Sequence, residues 1–276
     1  MHRLLVLVHL TLHEAMRRRV LLAALLGGAA FLILYGVGFH FIARDVSKGT
    51  NLVERRIALT AITLAGLYAV NLLTVMSAVL LPVDALSGEI GSGSIQTLAA
   101  KPVRRSEIVL GKWLAYVVVV LGYFIVMAGG VLLVARFVGR FTPPNPWAGI
   151  PLMLIETLVL VSVSIAGGTR LSTVTNGMMA FGLYGLAFVG NWVEQIGTFL
   201  DNAAARNVGT VASLLMPVEA LWQRAAWLMQ PTIMRELQAT PFSPASVPSP
   251  AMVWWALGYT AVAVLLGVRG FAKRGL

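Results

Sequence analysis

The side chains able to do chemistry in this sequence are few. They gather in one polar stretch, Pro82 to Lys112 (PVDALSGEIGSGSIQTLAAKPVRRSEIVLGK). It holds three acids, Asp84, Glu89 and Glu107, and four bases, Lys101, Arg104, Arg105 and Lys112. Such residues in a Gly-rich segment can grip another surface through charged hydrogen bonds. They do not make a nucleotide site: Gly111-Lys112 is followed by Trp113, and position 106 is Ser where the pattern G-x4-G-K-[ST] needs Gly. His2, His9, His13 and His40 make no metal set. His9 and His13 stand i, i+4, but no acid beyond Glu14 is near enough to complete a ligand shell. No nucleophile stands beside a base. With no cysteine, disulfides and thiolate metal sites are excluded.

Polar residues inside apolar runs are the other candidates. Glu156 is costly in lipid and should face a bundle interior, a partner subunit or an interface, its charge favoured by a place early in its helix. Asn71, Thr74 and Ser77 put a polar stripe on one helix, and Ser162, Ser164 and Thr169 mark another. Asn71, Thr74, Ser77 and Glu156 are candidates to line a translocation path. Interhelical packing uses Ser, Thr and Gly equally well.

The elements that must position these groups are membrane helices. A mean hydropathy of +0.83 with only 12% charged residues leaves too much apolar surface for a water-soluble chain of 276 residues. A span needs roughly 20 apolar residues to cross a ~30 Å hydrocarbon core. That criterion predicts an all-α integral membrane protein with six spans, about 20–42, 59–83, 110–135, 150–168, 177–195 and 252–270. The fifth is the weakest, because Gly182, Gly185 and Gly190 dilute it and Asn191 lies near its end. Ahead of the first span, residues 3–19 carry Leu5, Val8, Leu12, Ala15 and Met16 at helical spacing and end on Arg17, Arg18 and Arg19. This predicts an amphipathic helix in the interface, its basic end held by anionic lipid headgroups. Because the arginines follow the first apolar stretch, a cleavable signal peptide is not expected, and the first span serves as an uncleaved anchor.

The net charge of +10 sits beside the apolar runs, so it reads as membrane topology and not as nucleic-acid binding. Twelve of the 21 bases fall on one side if 1–19, 84–109, 169–176 and 271–276 share it. The positive-inside rule then places both termini in the cytoplasm, although Arg44, Lys48, Arg55 and Arg56 weaken the bias. The largest outer piece is 196–251. Pro217 is placed to start a helix there, and Trp222 and Trp227 are spaced for an interfacial face. Its later part, TPFSPASVPSP, should be an extended connector.

The central stretch resembles that of an ABC-2 type transporter permease. The resemblance rests on Glu89, Gly91 and Gly93, then Leu98, Lys101-Pro102, Arg104-Arg105, and Gly111-Lys112 opening the next span. The N-terminal helix with Glu14 and its arginines, the six-helix plan and the outer helical segment are similar too. So the likeness covers the whole chain as one transmembrane domain, 1–276. It implies a cytoplasmic coupling loop, 84–109, between the second and third spans. Within it Ser94 to Ala100 can form a short helix, N-capped by Gly93 or Ser94 and ended by Pro102. Ile95 and Leu98 would dock in a cleft of a soluble ATPase, with Glu89, Arg104 and Arg105 at the rim. Lys112 is expected to snorkel at the membrane interface.

What the resemblance implies is a permease subunit in a prokaryotic plasma membrane, exporting a substrate on ATP hydrolysed by a separate ATPase. This chain would then be no enzyme; ATP and magnesium would sit on the partner. The expected partners are that ATPase, a second permease copy or paralogue, and membrane lipids. Nothing in the sequence names the substrate. A secondary transporter or channel is the rival reading, and it would favour charges near mid-membrane. The other rival is an ATPase-coupled anchor acting on an extracytoplasmic partner protein.

Overall fold

The structure is a computed structural model, and it describes residues 2–49, 51–93, 104–236, 244 and 246–274. In chain order its helices are α1 (His2–Met16), α2 (Arg19–Gly49), α3 (Leu52–Leu80), the short α4 (Ser87–Gly91) and α5 (Arg105–Val138). They continue with α6 (Pro146–Gly168), α7 (Thr173–Phe199), α8 (Ala203–Leu215), α9 (Val218–Leu228), α10 (Thr232–Glu236) and α11 (Ala251–Ala272). Five of these, α2, α3, α5, α6 and α11, are long and apolar enough to cross a membrane. The expected fifth span, 177–195, falls within α7, a helix of 27 residues that is not among the five long and apolar enough to cross a membrane.

The helices overrun the apolar runs that predict them. α2 continues past residue 42 to Gly49, and α3 starts at Leu52, seven residues before 59, with the Asn51 side chain accepting from Val53 N–H at 3.4 Å. Hydropathy marks only the part that must sit in hydrocarbon, whereas backbone hydrogen bonding carries on through charged turns at either end. α6 likewise begins early. Asn145 takes a left-handed conformation (φ 45°) and Pro146 supplies a pre-set first turn.

α6 is the centre of the bundle. It packs against α3, α5, α7, α9 and α11 and is the most enclosed of the five spans. α2 lies at the edge, with Leu22, Leu26, Ile33, Leu34 and Phe41 exposed, as a helix facing lipid tails would be. Small residues set the close approaches. α2 runs parallel to α5 with Gly28 against Met127 and Gly130 against Leu32, and α11 meets α6 where Gly267 faces Ala166. α8 folds straight back along the end of α7, with Gly190 facing Ala212, Glu194 facing Gly209 and Gly197 facing Ala205. α9 then turns again and packs on α6, and Met229, just past its end, reaches Gly149.

α1, the end of α11 and residues 82–93 and 104–105 gather at one end of the bundle, called the connector end below; α8, α9 and α10 lie at the other, the far end. The α7–α8 contact gives a direct check. A Cβ on Gly209 would lie 2.3 Å from Glu194 Cβ and 2.7 Å from Gly190 O, so Gly209→Val must push the hairpin apart. The expected cost is about 1–3 kcal/mol, seen as a lower thermal midpoint in detergent micelles. Gly182→Ala, where a Cβ meets nothing within 4 Å, should leave the midpoint the same or slightly higher.

Candidate functional site

At the connector end the polar side chains are tied down in pairs. α3 ends at Leu80, and the following turn and α4 carry Asp84 and Glu89 back against the bundle. Arg18, in the elbow between α1 and α2, bridges Glu14 at 2.6 Å and Asp84. Lys112, one turn further into α5 than Ile108, donates to Glu89 Oε1 at 2.6 Å. Their side chains are only 7% and 19% exposed. The lysine therefore turns inward to the acid on α4 and does not snorkel outward. Glu89 correspondingly faces inward in this structure. α1 lies across the first turns of α5 on a row of Leu7, Thr11 and Ala15, with Leu7 against Gly111. Leu5 and Met16, expected on the apolar face, are exposed instead.

Further bonds lock the same region to α6, α7 and the C-terminal segment. Asn176 Nδ2 donates to Val83 O at 3.0 Å and to Ser164 O at 2.8 Å, and Ser87 and Thr173 share a hydrogen bond of 2.8 Å. Arg105 donates to Ala272 O and Arg274 O, and Arg274 donates to Thr169 O. Arg104, Arg17 and Arg19 remain exposed. The Arg104 N–H donates to Glu107 Oε2 at 2.9 Å, which closes the first turn of α5. α4 ends at Gly91, and Gly93 takes the left-handed φ of 73° that turns the chain away. The expected short helix at 94–100, with Ile95, Leu98, Lys101 and Pro102, lies outside the described residues.

A second polar cluster lies inside the far half. Glu156 is the eleventh residue of α6, not an early one, because that helix starts at Pro146. The helix dipole fades within the first turn and offers it little. It is 1% exposed, and Asn71 Nδ2 donates to its Oε1 at 3.0 Å. Its Oε2 is buried with no hydrogen-bond partner among the described residues. Thr74 and Ser77 donate to the Val70 and Leu73 carbonyls of their own helix, so the stripe on α3 is buried and turned inward.

The sequence pattern did not single out Glu219, which stands beside this cluster at 1% exposure. Tyr184 OH donates to its Oε1 at 3.0 Å and Asn191 Nδ2 to its Oε2 at 3.3 Å. Gln195 in turn donates to Asn191 Oδ1 at 3.2 Å, which orients that amide. Glu156 and Glu219 are close enough to repel each other. No Lys, Arg or His pairs with either among the described residues. Burial pushes the Glu219 carboxyl up to about 7, while the bonds from Tyr184 and Asn191 pull it down. A signal was available: Glu219 stands two residues after a helix-starting proline and is the sole acid from Val208 to Ile233. Trp222, expected on an interfacial face, is 4% exposed and packs on Tyr68 with ring centroids 5.2 Å apart. Trp227 instead carries the Arg235 guanidinium 4.1 Å above its ring.

Among the described residues no three His, Asp or Glu come together to hold a metal ion. Residues 6–276 match the model of a family described as ABC-2 family transporter protein. No curated protein is matched by the sequence.

The Glu89–Lys112 pair can be tested by a double-mutant cycle. Lys112→Met leaves a buried carboxylate uncompensated and should cost about 3–5 kcal/mol in unfolding from mixed micelles. Adding Glu89→Gln should recover part of that loss. Simple additivity of the two single losses would show that the pair does not interact.

Proposed function

This chain belongs to the ABC-2 family of transporter proteins, and from that premise we propose that it is the permease subunit of an ATP-binding-cassette exporter. α7 serves as the sixth span, its polar face covered by α8 and α9. At 27 residues it extends about 40 Å, enough to cross the bilayer. The connector end faces the cytoplasm, where a separate ATPase holds ATP and magnesium and meets residues 94–105. Two permeases, identical or paralogous, pair with two ATPases.

The observation that carries this reading is the stapling of the 82–93 segment to the bundle. Arg18 ties it to the α1–α2 elbow, Lys112 to α5, and Asn176 and Thr173 to α7. Force applied to the loop beyond Gly93 therefore reaches three helices through short polar contacts. A solvated linker could not transmit it. Closure of the ATPase pair would rotate these helices as a unit and change the packing around α6.

The two buried carboxylates of the far half favour a second reading, a carrier driven by an ion gradient. Reconstitution separates the two. Transport in liposomes should require ATP and the ATPase, and should persist when ion gradients are collapsed. The docking itself is tested by Leu98→Asp with Arg104→Glu. The double variant should insert in normal amounts yet lose most of the co-purifying ATPase, about tenfold or more, since apolar anchors and charged rim contacts each contribute to such interfaces. A full complement of ATPase on the variant would remove the assigned role from this loop.

A further inference from the structure

Beside Glu219 lies a cavity of about 70 Å³, lined by Tyr68, Trp192, Trp222 and Gln223 together with the carboxylate. Its walls combine three aromatic rings from three helices, α3, α7 and α9, with one buried acid. That is the chemistry of a cation site. Ring faces attract an ammonium within about 6 Å, and desolvation raises the gain to roughly 2 kcal/mol.

We propose that this cavity binds an alkylammonium head group, whose charge Glu219 neutralises and whose methylene or methyl groups meet the Tyr68 and Trp222 rings. Three observations carry the assignment. First, Tyr184 OH and Asn191 Nδ2 hold the two oxygens of Glu219 in place beside the cavity, so the carboxyl group is fixed where a cation would meet it. Second, Glu219 has no cationic partner among the described residues. A buried anion of this kind is costly until a cation joins it. Third, the size fits. At about 30 Å³ per water, the cavity holds roughly two waters' worth of ligand, which suits an ammonium head and not a whole amphiphile.

The titratable groups around Glu219 are Tyr68 on α3, Glu156 on α6 and Tyr184 on α7. The nearby bases are engaged elsewhere: Arg224 with Pro248 O, Arg235 with Leu228 O and Trp227, and Arg206 of α8 with Asp201. α11 has no charged residue from Ala251 to Val268. With the Glu219 carboxyl raised to about 7 by burial, the empty site takes up a proton as pH falls through 7. Cation affinity should therefore rise with pH up to about 7 and weaken by up to tenfold per unit below it.

As the recognition site for a substrate this inference rests on the permease reading; as a binding site it does not. The experiment uses the purified permease alone, in a non-ionic detergent at constant ionic strength. Thermal midpoint and tryptophan fluorescence are followed against n-butylammonium, against butan-1-ol as its neutral counterpart, and against potassium. Only butylammonium should give a saturable rise in midpoint. Glu219→Gln should weaken its binding tenfold or more, Trp222→Leu several-fold, and Tyr68→Phe, which keeps the ring, little. Equal effects from butan-1-ol or potassium on the wild-type protein would overturn the proposal without recourse to any variant. So would a folded Glu219→Gln protein that binds within twofold of wild type. Loss of the ATPase partnership would leave every one of these results unchanged.

Discussion

Inside a bilayer a polar side chain has no water to turn to, so it must find its partner within the fold. The structure meets that constraint unevenly. At the connector end charged groups are paired with one another, although Asn176 Oδ1 and Tyr116 OH are buried without a partner among the described residues. Lys112 finds Glu89, Arg18 finds both Glu14 and Asp84, and Asn176 spends its amide on two backbone carbonyls from different helices. In the far half, two carboxylates share a region supplied only with neutral donors and aromatic rings.

These two conditions divide the labour of the molecule. A network of paired charges is stiff, because each partner holds the other in one geometry, and stiffness is what a lever needs. In the proposed permease the 82–93 segment would be such a lever, with the exposed Arg104 further along the same loop. The far cluster is the opposite: Glu156 and Glu219 have no Lys, Arg or His partner among the described residues, and in the proposed cation site that is what an incoming ammonium would supply.

Between the two ends stands α6, packed by neighbours on every side and contributing to both regions. Its Ser164 carbonyl accepts from Asn176 near the connector end, and its Glu156 lies in the far cluster. The hairpin of α8 and α9 completes the far cluster only because Gly190, Gly197 and Gly209 let α8 lie flush against α7. That packing places the start of α9, and so Glu219, against Tyr184 and Asn191. Bulkier residues in those notches would lift the hairpin and leave Glu219 beside solvent.

The amino-acid sequence by itself determined the helical membrane class, the positions of most spans and the interest of the 82–112 stretch. Those follow from local composition: apolar length must match hydrocarbon thickness, and few charges are spent without use. It also pointed to Glu156, because an acid in an apolar run is costly wherever the run ends up. Only the tertiary structure decided that Lys112 turns inward to Glu89, that Trp222 is buried on Tyr68, and that Glu219 joins Glu156. Each of these depends on partners 23 to 154 positions away along the chain (89 with 112, 68 with 222). Hydropathy and spacing report what a residue is among its sequence neighbours; which distant helix it meets is set by how the small residues let the helices approach.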